Sequence, residues 1–104
     1  MVNVIAPKAI RDFVQRYPES DQVLRDWYNT LRKSEFQNWA ELKATFSSLD
    51  LIPNQKNGLL VVFDIGGNKY RVVVKMDLQS NFAMIRHIFT HNEYMIWNKK
   101  GKPS

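Results

Sequence analysis

The sequence predicts an α+β fold, with helices in the first half and a small antiparallel sheet in the second. Apolar residues recur at helical spacing early in the chain, as in the stripe Ile10, Phe13, Val14 and Tyr17. Three β-rich runs separated by turn residues follow, and helices packed beside such a meander are typical of the α+β class. The 104 residues are expected to form a single domain, 1–104, with 99–104 as a flexible tail.

The helices are predicted from their start and stop signals. A short strand at 2–5 precedes a helix that Pro7 opens and Pro18 ends. Ser20 or Asp21 is expected to cap a second helix, whose apolar stripe is Leu24, Trp27, Tyr28 and Leu31. A variant capping box at 38–41 opens a third short helix, and residues 47–58 are predicted to be a loop because they are rich in Asp, Asn, Pro and Gly.

The strands are predicted at 59–65, 70–76 and 82–89, with Gly66 and Gly67 in a tight hairpin turn and 77–81 in a second turn. Thr90, with Glu93 three residues later, is expected to form a capping box that opens a short C-terminal helix. Alternation in the middle strand assigns one set of side chains to the face under the helices and a mostly cationic set to an open face. The first set is Tyr70, Val72, Val74 and Met76, and the second is Lys69, Arg71, Val73 and Lys75.

The net positive charge lies entirely in the second half of the chain. Residues 1–54 carry seven Lys or Arg and seven Asp or Glu, whereas residues 55–104 carry eight and three, which accounts for the whole net charge of +5. A basic surface of this kind attracts nucleic acid regardless of sequence, although ordinary surface lysines are an equally reasonable interpretation.

Several classes of site are set aside by composition. The chain has no cysteine, so it has no disulfide, thiolate metal site or cysteine nucleophile. His87 and His91 are four residues apart, but one lies in a predicted strand and the other opens a helix, so no metal site is expected and no cofactor is expected. No apolar run reaches the length of a membrane span and the N-terminal segment does not resemble a signal peptide, so we expect a cytoplasmic protein without a membrane partner.

The residues best suited to chemistry are Arg71, Arg86, His91 and Tyr94, with Lys43, Lys69 and Lys75 as outer RNA contacts. RNA cleavage requires a base for the 2′-hydroxyl, cations for the phosphate and an acid for the leaving 5′-oxygen. Arg binds phosphate through paired hydrogen bonds, His exchanges protons near neutral pH, and Tyr stacks on bases or donates a proton. Arg86 is expected to be largely buried in an apolar strand, where its charge must be paired or functional. The alternative is that Arg71 is a solvated strand residue and that His91 and Tyr94 only form the first turn of the helix.

These residues lie in stretches that resemble the HigB-type toxins of bacterial toxin–antitoxin pairs, in the RelE-like superfamily. The pattern is Gly67-Asn68 followed by Arg71, a strand containing Arg86, and then Thr90-His91 and Tyr94. The stretches 39–46, 63–73 and 85–94 carry the likeness, and their order and spacing extend it over nearly the whole chain.

The resemblance implies a RelE-like fold and a metal-independent endoribonuclease that cleaves mRNA during translation on the ribosome. Arg71 and Arg86 would stabilise the phosphate, His91 would act as acid or base, and Tyr94 would stack or transfer a proton. Lys43 and Lys69 would orient RNA. It also implies a cognate, DNA-binding, HigA-like antitoxin that neutralises the toxin, with operator DNA bound only through the antitoxin complex.

Two other functions remain open at this point. The same fold could carry a toxin that inhibits a protein target such as gyrase, or an RNA-binding module without catalysis. In either toxin, an acidic and helical antitoxin segment is expected to cover the basic face, anchored on apolar rims at Phe36, Met95 or Trp97.

Overall fold

The computed structural model describes residues 2–5, 7–55, 58–67 and 69–101. Its helices and strands confirm the α+β class. Residues 102–104 of the expected tail lie outside the described part of the chain. In order, the elements are β1 (Asn3–Ile5), α1 (Pro7–Arg16), a 3-10 turn (Pro18–Ser20), α2 (Asp21–Lys33), α3 (Trp39–Thr45), β2 (Asp50–Gln55), β3 (Gly58–Ile65), β4 (Tyr70–Asp77), β5 (Phe82–Thr90) and α4 (His91–Lys99).

The strands form one sheet in the order β1-β5-β4-β3-β2. The three C-terminal strands are an antiparallel meander, as predicted, but β1 pairs with β5 in parallel, so the expectation of a wholly antiparallel sheet is wrong for this pair. Parallel neighbours need a long crossover connection, and here all the intervening helices and strands separate β1 from β5 along the chain.

The predicted loop at 47–58 contains a strand instead. Asp50 pairs with Val62, Leu51 with Val61 and Ile52 with Leu60, and the pairing is irregular from there to Gln55. Pro53 lies in this irregular part of an edge strand, where a residue without an N–H is tolerated. The turn residues in this segment are compatible with an edge strand, but they led to the prediction of a loop.

Helices α1 to α3 pack on one face of the sheet, which we call the helix face. The predicted alternation in β4 is confirmed, since Tyr70, Val72, Val74 and Met76 are all buried there. Phe36 is also buried in this core, at 5% exposure, so the expectation that it forms an exposed rim is wrong. The other buried members include Phe13, Leu24, Trp27, Leu31, Leu42, Val61 and Phe63.

Helix α4 packs on the opposite face, which we call the second face. Trp97 is buried there against Leu60, Val62 and Val73 and is only 6% exposed. The face expected to be open is thus partly covered by α4, and the expectation that Trp97 forms a docking rim is wrong. Met95 is 43% exposed on the outer side of α4. Among the described residues, no helix is long and apolar enough to cross a membrane.

The predicted capping box is what starts α4 directly at the end of β5. The Thr90 hydroxyl accepts a hydrogen bond from the Glu93 N–H at 3.3 Å, and the Glu93 carboxylate accepts one from the Thr90 N–H at 2.9 Å. Because β5 passes into α4 without a loop, the first turn of the helix is fixed relative to the sheet.

Candidate active site

Arg71 lies on the second face and forms a cross-strand ion pair with Asp64. The two residues are directly opposite each other in the β3–β4 pairing, and Arg71 Nη1 is 3.0 Å from Asp64 Oδ1. Their side chains are only 12% and 19% exposed. Arg71 is therefore not the solvated strand residue of the alternative interpretation, since its side chain is largely buried and forms an ion pair with Asp64 on the neighbouring strand.

Tyr94 reaches Arg71 from α4. The Arg71 guanidinium carbon lies 5.3 Å from the centre of the Tyr94 ring, a distance typical of a cation–π contact. Burial, and secondarily the negative charge of Asp50, raises the pKa of the Tyr94 phenol above its ordinary value of 10.0, although Arg71 opposes the shift. The phenol is thus protonated at neutral pH and is able to donate a hydrogen bond or a proton.

His91 and Lys69 lie at the same end of the sheet as Arg71. The His91 N–H donates a 3.0 Å hydrogen bond to the Lys69 carbonyl oxygen, which joins the start of α4 to the β3–β4 turn. Both side chains are exposed. His91 precedes Tyr94 by three residues, so the two lie along one side of the helix. We call Asp64, Lys69, Arg71, His91 and Tyr94 together the Arg71 cluster.

Arg86 is the extra residue of a β-bulge, and the expectation that it is largely buried is wrong. Val74 pairs with Ile85 and Val73 with His87, so Arg86 has no partner position on β4 and its side chain is exposed. Its Nη1 atom lies 3.7 Å from Met84 Sδ, which places it on the second face with Arg71. Arg86 is displaced along β5 from the residue opposite Arg71 by three positions, about 10 Å.

The remaining predicted RNA contacts lie apart from the Arg71 cluster. Lys75 is opposite Leu60 and Met84, towards the other end of β4, and is partly exposed. Lys43 is exposed on α3, and its Nζ donates a 2.7 Å hydrogen bond to the Leu49 carbonyl oxygen. Of the predicted set, the structure therefore brings Arg71 and Tyr94 into contact and places Lys69 and His91 at the same end of the sheet. Arg86, Lys75 and Lys43 lie at separate positions.

Glu93 connects the site to the helix face. Besides closing the capping box, its Oε2 atom lies 3.2 Å from Arg16 Nη2 at the end of α1. The pair is exposed enough to contribute only about 1 kcal/mol or less. The contact shows that the end of α1 lies beside the first turn of α4, where His91 is located.

Asp64 was not among the residues singled out from the sequence. A signal was present, since Asp64 and Arg71 are oppositely charged, and each stands one residue outside the pair Ile65 and Tyr70 that closes the turn. Within the part of the chain that the structure describes, no three His, Asp or Glu side chains come together as a metal site would require. The cluster supplies a guanidinium, an imidazole and a phenol, the groups needed to bind a phosphate and move protons.

Comparisons with known proteins identify the family of this chain. Residues 20–96 match the model of a family described as HigB_toxin, the RelE-like toxic component of a toxin–antitoxin system. The chain is 36% identical to the mRNA interferase toxin HigB of Escherichia coli, over 97% of this chain and 99% of that protein. It shows the same identity and coverage against the mRNA interferase HigB of Shigella flexneri. The family match covers most of the chain and these relatives match it almost end to end, and the chain therefore belongs to the HigB family of RelE-like toxins.

Proposed function

We propose that this chain is the endoribonuclease toxin of a toxin–antitoxin pair and that it cleaves mRNA at the Arg71 cluster. Its nearly full-length similarity to proteins named mRNA interferases supports the activity. The observation that supports the location is the contact of Arg71 with Tyr94, with His91 one turn earlier on the same helix. A guanidinium, a phenol and an imidazole then border one exposed end of the second face.

Each group has a role that follows from its chemistry. Arg71 holds the scissile phosphate and the negative charge that develops on it. His91 exchanges a proton with the reacting oxygens, as the 2′-oxygen bonds to phosphorus and the bond from phosphorus to the 5′-oxygen breaks. Tyr94, which is protonated at neutral pH, stacks on a base or donates a proton to the leaving oxygen.

The cations outside the cluster attract and orient the RNA strand. Lys69 is exposed beside His91 and contributes to the charge at the site. Arg86 and Lys75 lie farther along the second face, where they contact neighbouring phosphates. Lys43, which donates to the Leu49 carbonyl oxygen, has a smaller role in RNA binding than the others.

The toxin acts in the cytoplasm on mRNA that is being translated on the ribosome. A cognate DNA-binding antitoxin neutralises it, and operator DNA is bound only through the complex with the antitoxin. An acidic antitoxin segment is the appropriate partner for a chain of net charge +5.

The test is transcript mapping by 5′-end sequencing after brief induction in translating cells. The wild type is compared with His91→Ala and Tyr94→Phe, and the matched controls are Asn92→Ala, the exposed neighbour on α4, and Tyr28→Phe, another half-buried tyrosine. We expect new 5′ ends inside translated frames with the wild type and both controls, and a strong reduction with His91→Ala. A strong reduction with Tyr94→Phe as well, which keeps the ring, would assign proton donation rather than stacking to Tyr94.

Other results would support the alternative functions. Growth arrest without new 5′ ends would refute the endoribonuclease and favour inhibition of a protein target such as gyrase. Salt-sensitive RNA binding by the purified chain, without cleaved transcripts in cells, would favour a non-catalytic RNA-binding module.

A further inference from the structure

The ion pair between Asp64 and Arg71 is a fixed element of the second face. Both residues lie within regular strands of one hairpin, directly opposite each other, and the contacting atoms are 3.0 Å apart. The pair is among the least exposed of the charged contacts in the described structure, at 12% and 19%. By contrast, the side chains of the Arg25 and Asp21 pair are 63% and 46% exposed.

A contribution to stability does not explain the pair well. Removing two charges from water costs about as much as their attraction returns, so apolar residues of similar size often stabilise such a position equally well. A carboxylate beside a phosphate-binding arginine is also unfavourable for RNA, because it repels the anion that the arginine attracts. The presence of Asp64 therefore has to be explained by a benefit that offsets this repulsion.

Orientation provides that explanation. The N–H donors of a guanidinium form a rigid planar fork, so a partner that fixes one edge also fixes the direction of the others. Asp64 contacts Arg71 at the Nη1 edge, while the Tyr94 ring lies against the guanidinium at 5.3 Å. A contact at the edge together with a contact from the ring restrains both the rotation and the tilt of the plane.

We infer that Asp64 is a positioning residue of the cleavage site, which orients the Arg71 guanidinium toward the scissile phosphate. This inference rests on the proposed function and assigns a role to a residue that does not itself touch RNA. It yields an unusual combination of effects. Loss of Asp64 disorders Arg71 and slows cleavage, but it also removes a negative charge from the face, so RNA binding does not weaken.

The experiment compares Asp64→Ala and Asp64→Asn with the wild type. Asn keeps an oxygen that accepts a hydrogen bond from Arg71 but has no charge, so Asp64→Asn should keep part of the cleavage activity that Asp64→Ala loses. The control is Asp77→Ala, an exposed aspartate at the end of β4, with the Arg71→Ala single variant and the Asp64→Ala/Arg71→Ala double variant completing a cycle. Cleavage of a translated reporter mRNA, the dissociation constant for a single-stranded RNA oligonucleotide and the midpoint of thermal unfolding are measured for each.

We expect Asp64→Ala to slow cleavage by about 10- to 100-fold, the range for a misplaced catalytic group. We expect Asp64→Asn to lie between Ala and the wild type, with RNA binding equal to or tighter than that of the wild type for both. In the Arg71→Ala background, loss of Asp64 should change cleavage less than about twofold, because the group that it positions is gone. If Asp64→Ala does not fold, Asp64→Asn and its double variant with Arg71→Ala carry the same test.

Three results would overturn the inference while leaving the endoribonuclease intact. They are cleavage by the Asp64 variants within twofold of the wild type, an equal loss in the Arg71→Ala background, or weaker RNA binding that accounts for the whole loss. Absence of cleavage by the wild type would instead refute the proposed function, and this inference with it.

Discussion

Helix α4 carries His91 and Tyr94, and Trp97 is the residue that attaches this helix to the sheet. The Trp97 ring lies 5.6 to 5.7 Å from the rings of His87, Phe89 and Tyr94, and packs on Leu60, Val62 and Val73. Replacing Trp97 by Ala removes nearly all of these contacts at once. We expect the variant to lose the docking of α4 and, with it, the arrangement of the Arg71 cluster.

The magnitude follows from the buried area. A buried Trp removes about 150–250 Å² from water, which at about 25 cal/mol per Å² corresponds to about 4–6 kcal/mol. The unfolded chain already buries some of this area, so the net value is smaller, and buried Trp to Ala changes cost about 3–5 kcal/mol. For a domain of about 100 residues, this lowers the midpoint of thermal unfolding by about 12 °C or more.

The assay is urea and thermal unfolding of Trp97→Ala, with Ile96→Ala as the matched control. Ile96 is the preceding residue on the same helix but is 56% exposed, so its substitution should change the free energy of unfolding by less than about 0.5 kcal/mol. A loss below about 1 kcal/mol for Trp97→Ala, or equal losses for the two variants, would refute the packing of α4 on the second face. A stable Trp97→Ala variant that still cleaves mRNA at the wild-type rate would refute the dependence of the site on that packing.

Three further predictions concern the turn, the cap and the phenol. Gly66→Ala should destabilise the fold by about 1–3 kcal/mol in urea unfolding, because φ is +63° and the new Cβ would lie 3.2 Å from the Tyr70 ring. Thr90→Ala should cost about 1 kcal/mol by the same measurement, through loss of the hydroxyl that accepts from the Glu93 N–H. The folded-state pKa of Tyr94 lies above its ordinary value of 10.0, so the stability it confers is complete below that pH and is lost as pH rises through the folded pKa. Unfolding at increasing alkaline pH should therefore show a smaller decline for Tyr94→Phe than for the wild type.

The sequence was most informative where one side of an element is buried. The alternation in β4 predicted which residues lie under the helices because every second residue is apolar and the strand is central. Thr90 and Glu93 predicted the start of α4 because both members of a capping box are local. Trp97 was misassigned because periodicity reveals an apolar residue but not which surface it meets.

The site was less predictable because it depends on cross-strand register. The β5 run reads as one strand, and nothing in its composition marks Arg86 as the extra residue that a bulge leaves exposed. A role for Asp64 can be recognised only once the pairing of β3 with β4 places it opposite Arg71. The strand at 50–55 was missed because Pro53 and Asn54 are turn residues that an edge tolerates.

The bulge in β5 also determines where this strand can change in length. In a strand without a bulge, deleting one residue would move all later side chains to the opposite face. Deleting Arg86 would instead leave Ile85 opposite Val74 and His87 opposite Val73, in uninterrupted alternation. Relatives that differ by one residue in this strand can therefore gain or lose it here, and the side chain at this position can vary without changing which face the later residues of β5 occupy.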